Sequence, residues 1–199
     1  GLGRSKLSGN FIEVDWRPAL HDLGSHYKGY STGYEIQFFH PVARYLVDEK
    51  KFQLNSFSLL KILSASPIQP MLNHTSWTLD ISGERLSDFS SLWRKKVHFG
   101  FGLAAEPVQH SRIYLFGFAE TGHITDVGFY GGPGFRFGLA VPASTLLTFR
   151  TDVIGVYGFP KKDAYKRLDL STSLRTRTSQ NTEVSLEGKY NFRSKMPEA

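Results

Sequence analysis

The chain has 199 residues, 40% of them hydrophobic and 21% charged, which suits one domain and excludes a disordered acidic or basic tail. It has no cysteine, so disulfides, thiolate catalysis and cysteine-ligated metals are excluded. Its formal charge of +6 favours contact with phosphate-bearing surfaces, although the Lys and Arg are dispersed as on an ordinary solvated surface.

No apolar run approaches the ~20 residues that a spanning helix needs. Gly1-Leu2-Gly3-Arg4 reads as a cut made inside a longer protein or after signal removal. Residues 1–9 are small and polar, and read as a linker or tail. Asn10–Arg17 is the first strand, with Ile12, Val14 and Trp16 on one face and Glu13, Asp15 and Arg17 on the other. A long connection, Pro18–Gly33, holds His21, Asp22 and His26, too few ligands at no diagnostic spacing for a metal.

Tyr34–Val47 is a long strand whose phase slips at His40-Pro41, where a bulge is expected. Lys51–Ser64 follows, with its own slip near Leu59-Leu60, and then a Pro-containing loop over Ser66–Asn73. His74–Glu84 sets Trp77, Leu79 and Ile81 against Thr78, Asp80 and Ser82. Arg85–Lys95 is a polar connection. Lys96–Ala104 sets Val97, Phe99, Phe101 and Leu103 against His98, Gly100, Gly102 and Ala104.

Ser111–Glu120 is apolar on both faces. Gly131-Gly132-Pro133 reads as a turn, and no helix follows it to make a phosphate loop. Gly134–Val141 alternates most cleanly: Phe135, Phe137, Leu139 and Val141 oppose Gly134, Arg136, Gly138 and Ala140. Ser144–Val153, Tyr165–Thr176 and Asn181–Arg193 repeat the design. Residues 194–199 read as a C-terminal tail.

The expected fold is all-β: a closed antiparallel up-and-down β-barrel of roughly ten strands over residues 10–193, transmembrane. The charged face carries both signs on neighbouring strands: Arg136, Arg150, Asp152, Arg167, Asp169, Glu183 and Glu187. In a narrow lumen such charges must pair. The other face, with Phe99, Phe101, Phe135, Phe137, Leu139, Leu168, Leu170 and Leu186, carries essentially no charge. A lysine or arginine facing lipid at the midplane costs about 2–4 kcal/mol, so this purity points to a lipid-facing surface. Trp16, Trp77, Tyr45, Tyr190 and Phe192 are candidate interface rings. The implied location is a bacterial outer membrane, the implied partner its lipid, and nucleic acid is not expected. A soluble lipid-binding barrel would instead turn the greasy face inward.

Three stretches carry a family resemblance: Ala19-Leu-His-Asp-Leu running to Gly33-Tyr-Glu-Ile-Gln-Phe, Leu59-Leu-Lys-Ile-Leu-Ser-Ala-Ser-Pro67, and Ser76-Trp-Thr-Leu-Asp-Ile-Ser-Gly-Glu-Arg85. Together they resemble the C-terminal barrel region of bacterial envelope proteins with an Lnb-type N-terminal periplasmic domain, related to lipoprotein N-acyltransferases. The resemblance implies a barrel that anchors, or presents substrate to, a periplasmic domain of the same polypeptide. Papain-like catalysis would belong to that other domain, so no catalytic residue carries over.

His74-Thr75-Ser76 resembles the His-x-Ser arrangement of outer-membrane lipid A deacylases, and Asp80 or Glu84 could orient the ring. A turn histidine and a capping serine explain the same residues. No cofactor and no metal are expected.

Overall fold

Alternation with period two leaves the chain little to form but strands. The computed structural model describes residues 2–5, 9–16, 19–21, 33–68, 75–86, 92–144, 147–159, 165–177 and 183–193, and no helix occurs among them. The strands are β1 (Leu2–Ser5), β2 (Gly9–Asp15), β3 (Ala19–His21), β4 (Tyr34–Leu46), β5 (Lys51–Ser64), β6 (Ser76–Arg85), β7 (Trp93–Ala105), β8 (Arg112–Ile124), β9 (Gly128–Pro142), β10 (Leu147–Gly158), β11 (Tyr165–Arg177) and β12 (Glu183–Arg193).

All pair antiparallel in one sheet, in chain order from β4 to β12. On the other side of β4, β2 pairs with Val42–Leu46 and β3 with Ile36–Phe38, so the two lie end to end as one interrupted strand. Taken that way, the meander has ten strands. β1 adds a short hairpin, Leu2 opposite Ile12, within the segment expected as a tail.

The slip expected near Leu59-Leu60 has a counterpart: the β5–β6 register shifts between Ser58 and Leu60, which leaves Leu59 as the extra residue. The β4–β5 register runs evenly through His40-Pro41 and shifts between Val42 and Ala43 instead, where Asn55 of β5 is the extra residue. Gly131-Gly132-Pro133 is not a turn but lies inside β9, and the chain reverses at 125–127 instead, with Asp126 and Gly128 at positive φ. Pro133 still leaves its mark. The β9–β8 ladder runs through it, opposite Ala119, while the β9–β10 ladder ends one residue away at Gly134, because proline has no amide to donate.

The sheet is not closed: among the described residues no ladder joins β12 to β1 or β2. It is nonetheless strongly rolled. Five strands separate β4 from β10, and at ~4.8 Å per strand a flat sheet would hold the two roughly 29 Å apart. Yet Glu35 of β4 and Arg150 of β10 form an ion pair at 2.8 Å. Rolling makes one face concave, and that face is the polar one.

Candidate functional site

The concave face is built from every second residue of each strand, so its composition follows from the alternation. β8 shows how it is filled. Tyr114, Phe116 and Phe118 point inward and are buried, while Ile113 and Leu115 point outward and are exposed. Opposite the inward rings stand glycines: Gly100 and Gly134 beside Phe118, Gly102 beside Phe116, Gly138 beside Tyr114. The missing Cβ atoms make room for the rings.

Around these rings lie two groups of charges. In the first, Asp152 of β10 accepts from Arg136 Nε at 2.9 Å, from Arg150 Nε at 2.7 Å and from the Tyr114 hydroxyl at 2.5 Å. Arg150 also reaches Glu35 across the interior, and Glu35 is joined by Lys61 Nζ at 3.4 Å and by Gln37 Nε2 at 3.0 Å. Arg136 is 2% exposed. A charge so buried is tolerable only because its partners are hydrogen-bonded to it.

The second group centres on Glu120 of β8. It accepts from Arg167 Nη2 at 3.0 Å and from the Tyr130 hydroxyl at 2.9 Å, and Arg167 Nε also lies 2.9 Å from Asp169. His98 stacks on Phe118 with Nδ1 3.9 Å from Glu120 and 4.0 Å from Asp80. Lys96 Nζ lies 3.5 Å from Asp80, and Arg94 pairs with Glu84.

One end of the interior is lined by the 106–111 connection, where Glu106 accepts from the His110 amide at 2.6 Å and pairs with Arg112 at 2.6 Å. Burial works to raise the Glu106 carboxyl, but the His110 amide and Arg112 outweigh it and hold it below its ordinary value.

Of the expected lumen residues, Arg136, Arg150, Asp152 and Arg167 meet in these buried groups, and Asp169 joins them partly exposed. Glu187 is exposed on β12, the unpaired edge, and the Glu183 side chain lies outside the described residues. Glu35, Lys61, Lys96, His98 and Glu120 complete the networks. The signal for them was phase, since each falls on the inward beat of its strand.

The expected lipid-facing residues all point to the convex side: Phe99, Phe101, Phe135, Phe137, Leu168, Leu170 and Leu186 are exposed, Phe101 at 57%, and Leu139 is half-buried. Trp16, Tyr190 and Phe192 are exposed as well, while Trp77 and Tyr45 are half-buried.

Ser76 of the His-x-Ser arrangement is not brought together with Asp80. His74 lies outside the described residues, and Ser76 donates to the Ser66 carbonyl at 2.9 Å. Asp80 is four residues further along β6, roughly 13 Å at strand rise, facing Lys96 and His98. Asp22 and His26 lie outside the described residues, as does the side chain of His21. Among the described residues no cluster of His, Asp or Glu could hold a metal ion.

A family model described as a domain of unknown function, DUF7840, matches residues 1–198, and the chain belongs to that family. No curated protein and no solved structure matches it.

Proposed function

We propose that the chain is a transmembrane β-barrel module of a bacterial outer membrane, closed in lipid. The supporting observation is the inversion of burial. Charged side chains such as Arg94, Arg136 and Glu120 fill the inside, while phenylalanines and leucines cover the outside. In water this arrangement exposes far more contiguous apolar surface than soluble proteins tolerate, whereas a hydrocarbon surround makes it favourable. A soluble lipid-binding barrel needs the opposite arrangement. Strand length agrees, since β4, β7, β8 and β11 have 13 residues each and a tilted crossing needs about 9–11.

The interior groups consist of mutually paired side chains, which suits a plugged, rigid module better than a conducting pore. The role that fits such a module is that of an anchor, or of a platform presenting substrate to a periplasmic domain of the same polypeptide. That role rests on the resemblance carried by the 19–38, 59–67 and 76–85 stretches.

The test is envelope fractionation of the chain expressed behind a secretion signal. Recovery in the outer-membrane fraction, released only by detergent, is expected. Recovery as a monodisperse periplasmic protein would overturn the proposal.

A further inference from the structure

We propose that Ser58, His40 and Asp15 form an ester-cleaving site on the concave face of the sheet, with an acyl ester of a bilayer lipid as its substrate. The activity goes beyond the anchoring role above, and only the lipid nature of the substrate rests on the membrane reading.

The site begins with a strained residue. Along β4, Glu35 and Gln37 point inward, so strict alternation would turn Phe39 and Pro41 inward too. Instead Phe39 takes φ 47°, a left-handed conformation that bulky side chains rarely adopt, and it is 44% exposed on the convex side. The slip brings His40 and Val42 to the inside. β5 slips in step at Leu59, so Gln37 opposes Lys61 and His40 opposes Ser58 with no break in register between them. Bulges and strained residues collect where a side chain is re-aimed for chemistry.

The re-aimed ring has a neighbour on each side. Its Nε2 meets Oδ1 of Asp15, which stands on β2 opposite inward-facing Val42. Its Nδ1 lies toward its own backbone, where Ser58 is the directly opposed residue on β5. The Cβ atoms of such a pair stand about 4.5–5.5 Å apart, so one χ1 rotation brings Ser58 Oγ within hydrogen-bond reach of Nδ1. Carboxylate, imidazole and hydroxyl follow one another across β2, β4 and β5, the order that activates a serine. Unlike the charges packed around Phe116 and Phe118, this row is accessible, with the His40 side chain 14% and that of Asp15 28% exposed.

The wall beside the site suits a lipid. The β2–β4 ladder ends at Asp15 and Val42. Beyond it the Trp16 amide still donates to the Pro41 carbonyl at 3.3 Å, but Pro41 has no amide to return. On the convex side the Phe39 ring lies 4.6 Å from that of Phe38 and 5.9 Å from that of Phe57, centre to centre. An acyl ester matches the two sides of this seam, its chain against the rings and its carbonyl toward His40.

In the first step Ser58 Oγ attacks the ester carbonyl while His40 Nδ1 takes the hydroxyl proton. The ester C–O bond breaks, and the alcohol leaves with that proton. Water, deprotonated by the same nitrogen, then adds to the acyl-serine. The carboxylic acid departs and Ser58 regains its proton. Asp15 positions the ring and stabilises the imidazolium.

The test uses the full chain folded in detergent, with the heat-dependent gel shift as the measure of folding. A fluorophosphonate probe is expected to modify Ser58, located by peptide mass spectrometry. Ser58→Ala should abolish that labelling and Ser56→Ala should keep it. His40→Ala should slow it by roughly 10²–10⁴-fold. Asp15→Asn should lower kcat for 4-nitrophenyl butyrate at unchanged KM, with Asp15→Glu restoring part of it, a pattern that a merely structural role would not give. A folded parent that is not labelled, or a folded Ser58→Ala that still is, would overturn the site.

Fluorescent phosphatidylethanolamine in mixed micelles tests the substrate. Release of fatty acid by the parent and not by Ser58→Ala is expected, and labelling of Ser58 without release would overturn the lipid ester. Absence of the gel shift would contradict the membrane reading instead, and labelling of that protein would still decide the site.

Discussion

Gly138 of β9 lies directly opposite Tyr114 of β8, so close that a Cβ on the glycine would stand 2.2 Å from the tyrosine ring. Gly134 stands in the same relation to Phe118, at 2.3 Å. The rings cannot retreat, because the concave side behind them is filled. Gly117 is the contrast: it points to the convex side, and a Cβ there would meet nothing within 4 Å.

Gly138→Ala and Gly134→Ala are therefore expected to destabilise the folded chain by about 1–3 kcal/mol each through overpacking. Gly117→Ala should be neutral. Urea titration of the three variants, followed by tryptophan fluorescence in detergent, checks this. Equal midpoints would show that the interior can give way.

The Glu35–Arg150 pair ties β4 to β10 across the roll. Glu35→Leu alone should cost up to about 3–5 kcal/mol, because it leaves buried Arg150 with Asp152 alone and takes a carboxylate from half-buried Lys61. Glu35→Leu combined with Arg150→Met should cost less than the sum of the single changes. A double-mutant cycle in urea measures the coupling, and simple additivity would mean that the pair does not hold the roll.

Much of this was legible in the sequence, because alternation assigns each residue to one of two faces. It placed Phe135 and Phe137 opposite Arg136 without any knowledge of partners. It failed where both faces are apolar: nothing local to Ser111–Glu120 says that Tyr114, Phe116 and Phe118 turn inward. The deciding feature lies in other strands, in Gly100, Gly102, Gly134 and Gly138. The Gly131-Gly132-Pro133 stretch misled for the same reason. Locally it signals a turn, but a Cβ on Gly132 would stand 1.9 Å from the Tyr157 carbonyl, so the glycine serves a close approach between β9 and β10. Periodicity also cannot say which distant strands meet, so the contact between Glu35 and Arg150 had no signature.

The convex face can be probed by depth. Phe137 sits mid-strand in β9, and Phe129 sits near its start. If lipid surrounds this face, Phe137→Arg should cost about 2–4 kcal/mol and Phe129→Arg about 0–1. Yield of folded protein in vesicles checks the difference. In water both substitutions would relieve exposed apolar surface, so equal and harmless effects would argue against lipid contact.

The most direct measurement is electrophoretic. The purified chain is compared unheated and boiled, after transfer into detergent and after transfer into plain buffer. A polar inside and an apolar outside predict a compact, faster-migrating unheated form in detergent that is lost on boiling, with no folded monomer in buffer. A monodisperse β-protein in plain buffer, with no heat-dependent shift, would contradict the account at its centre.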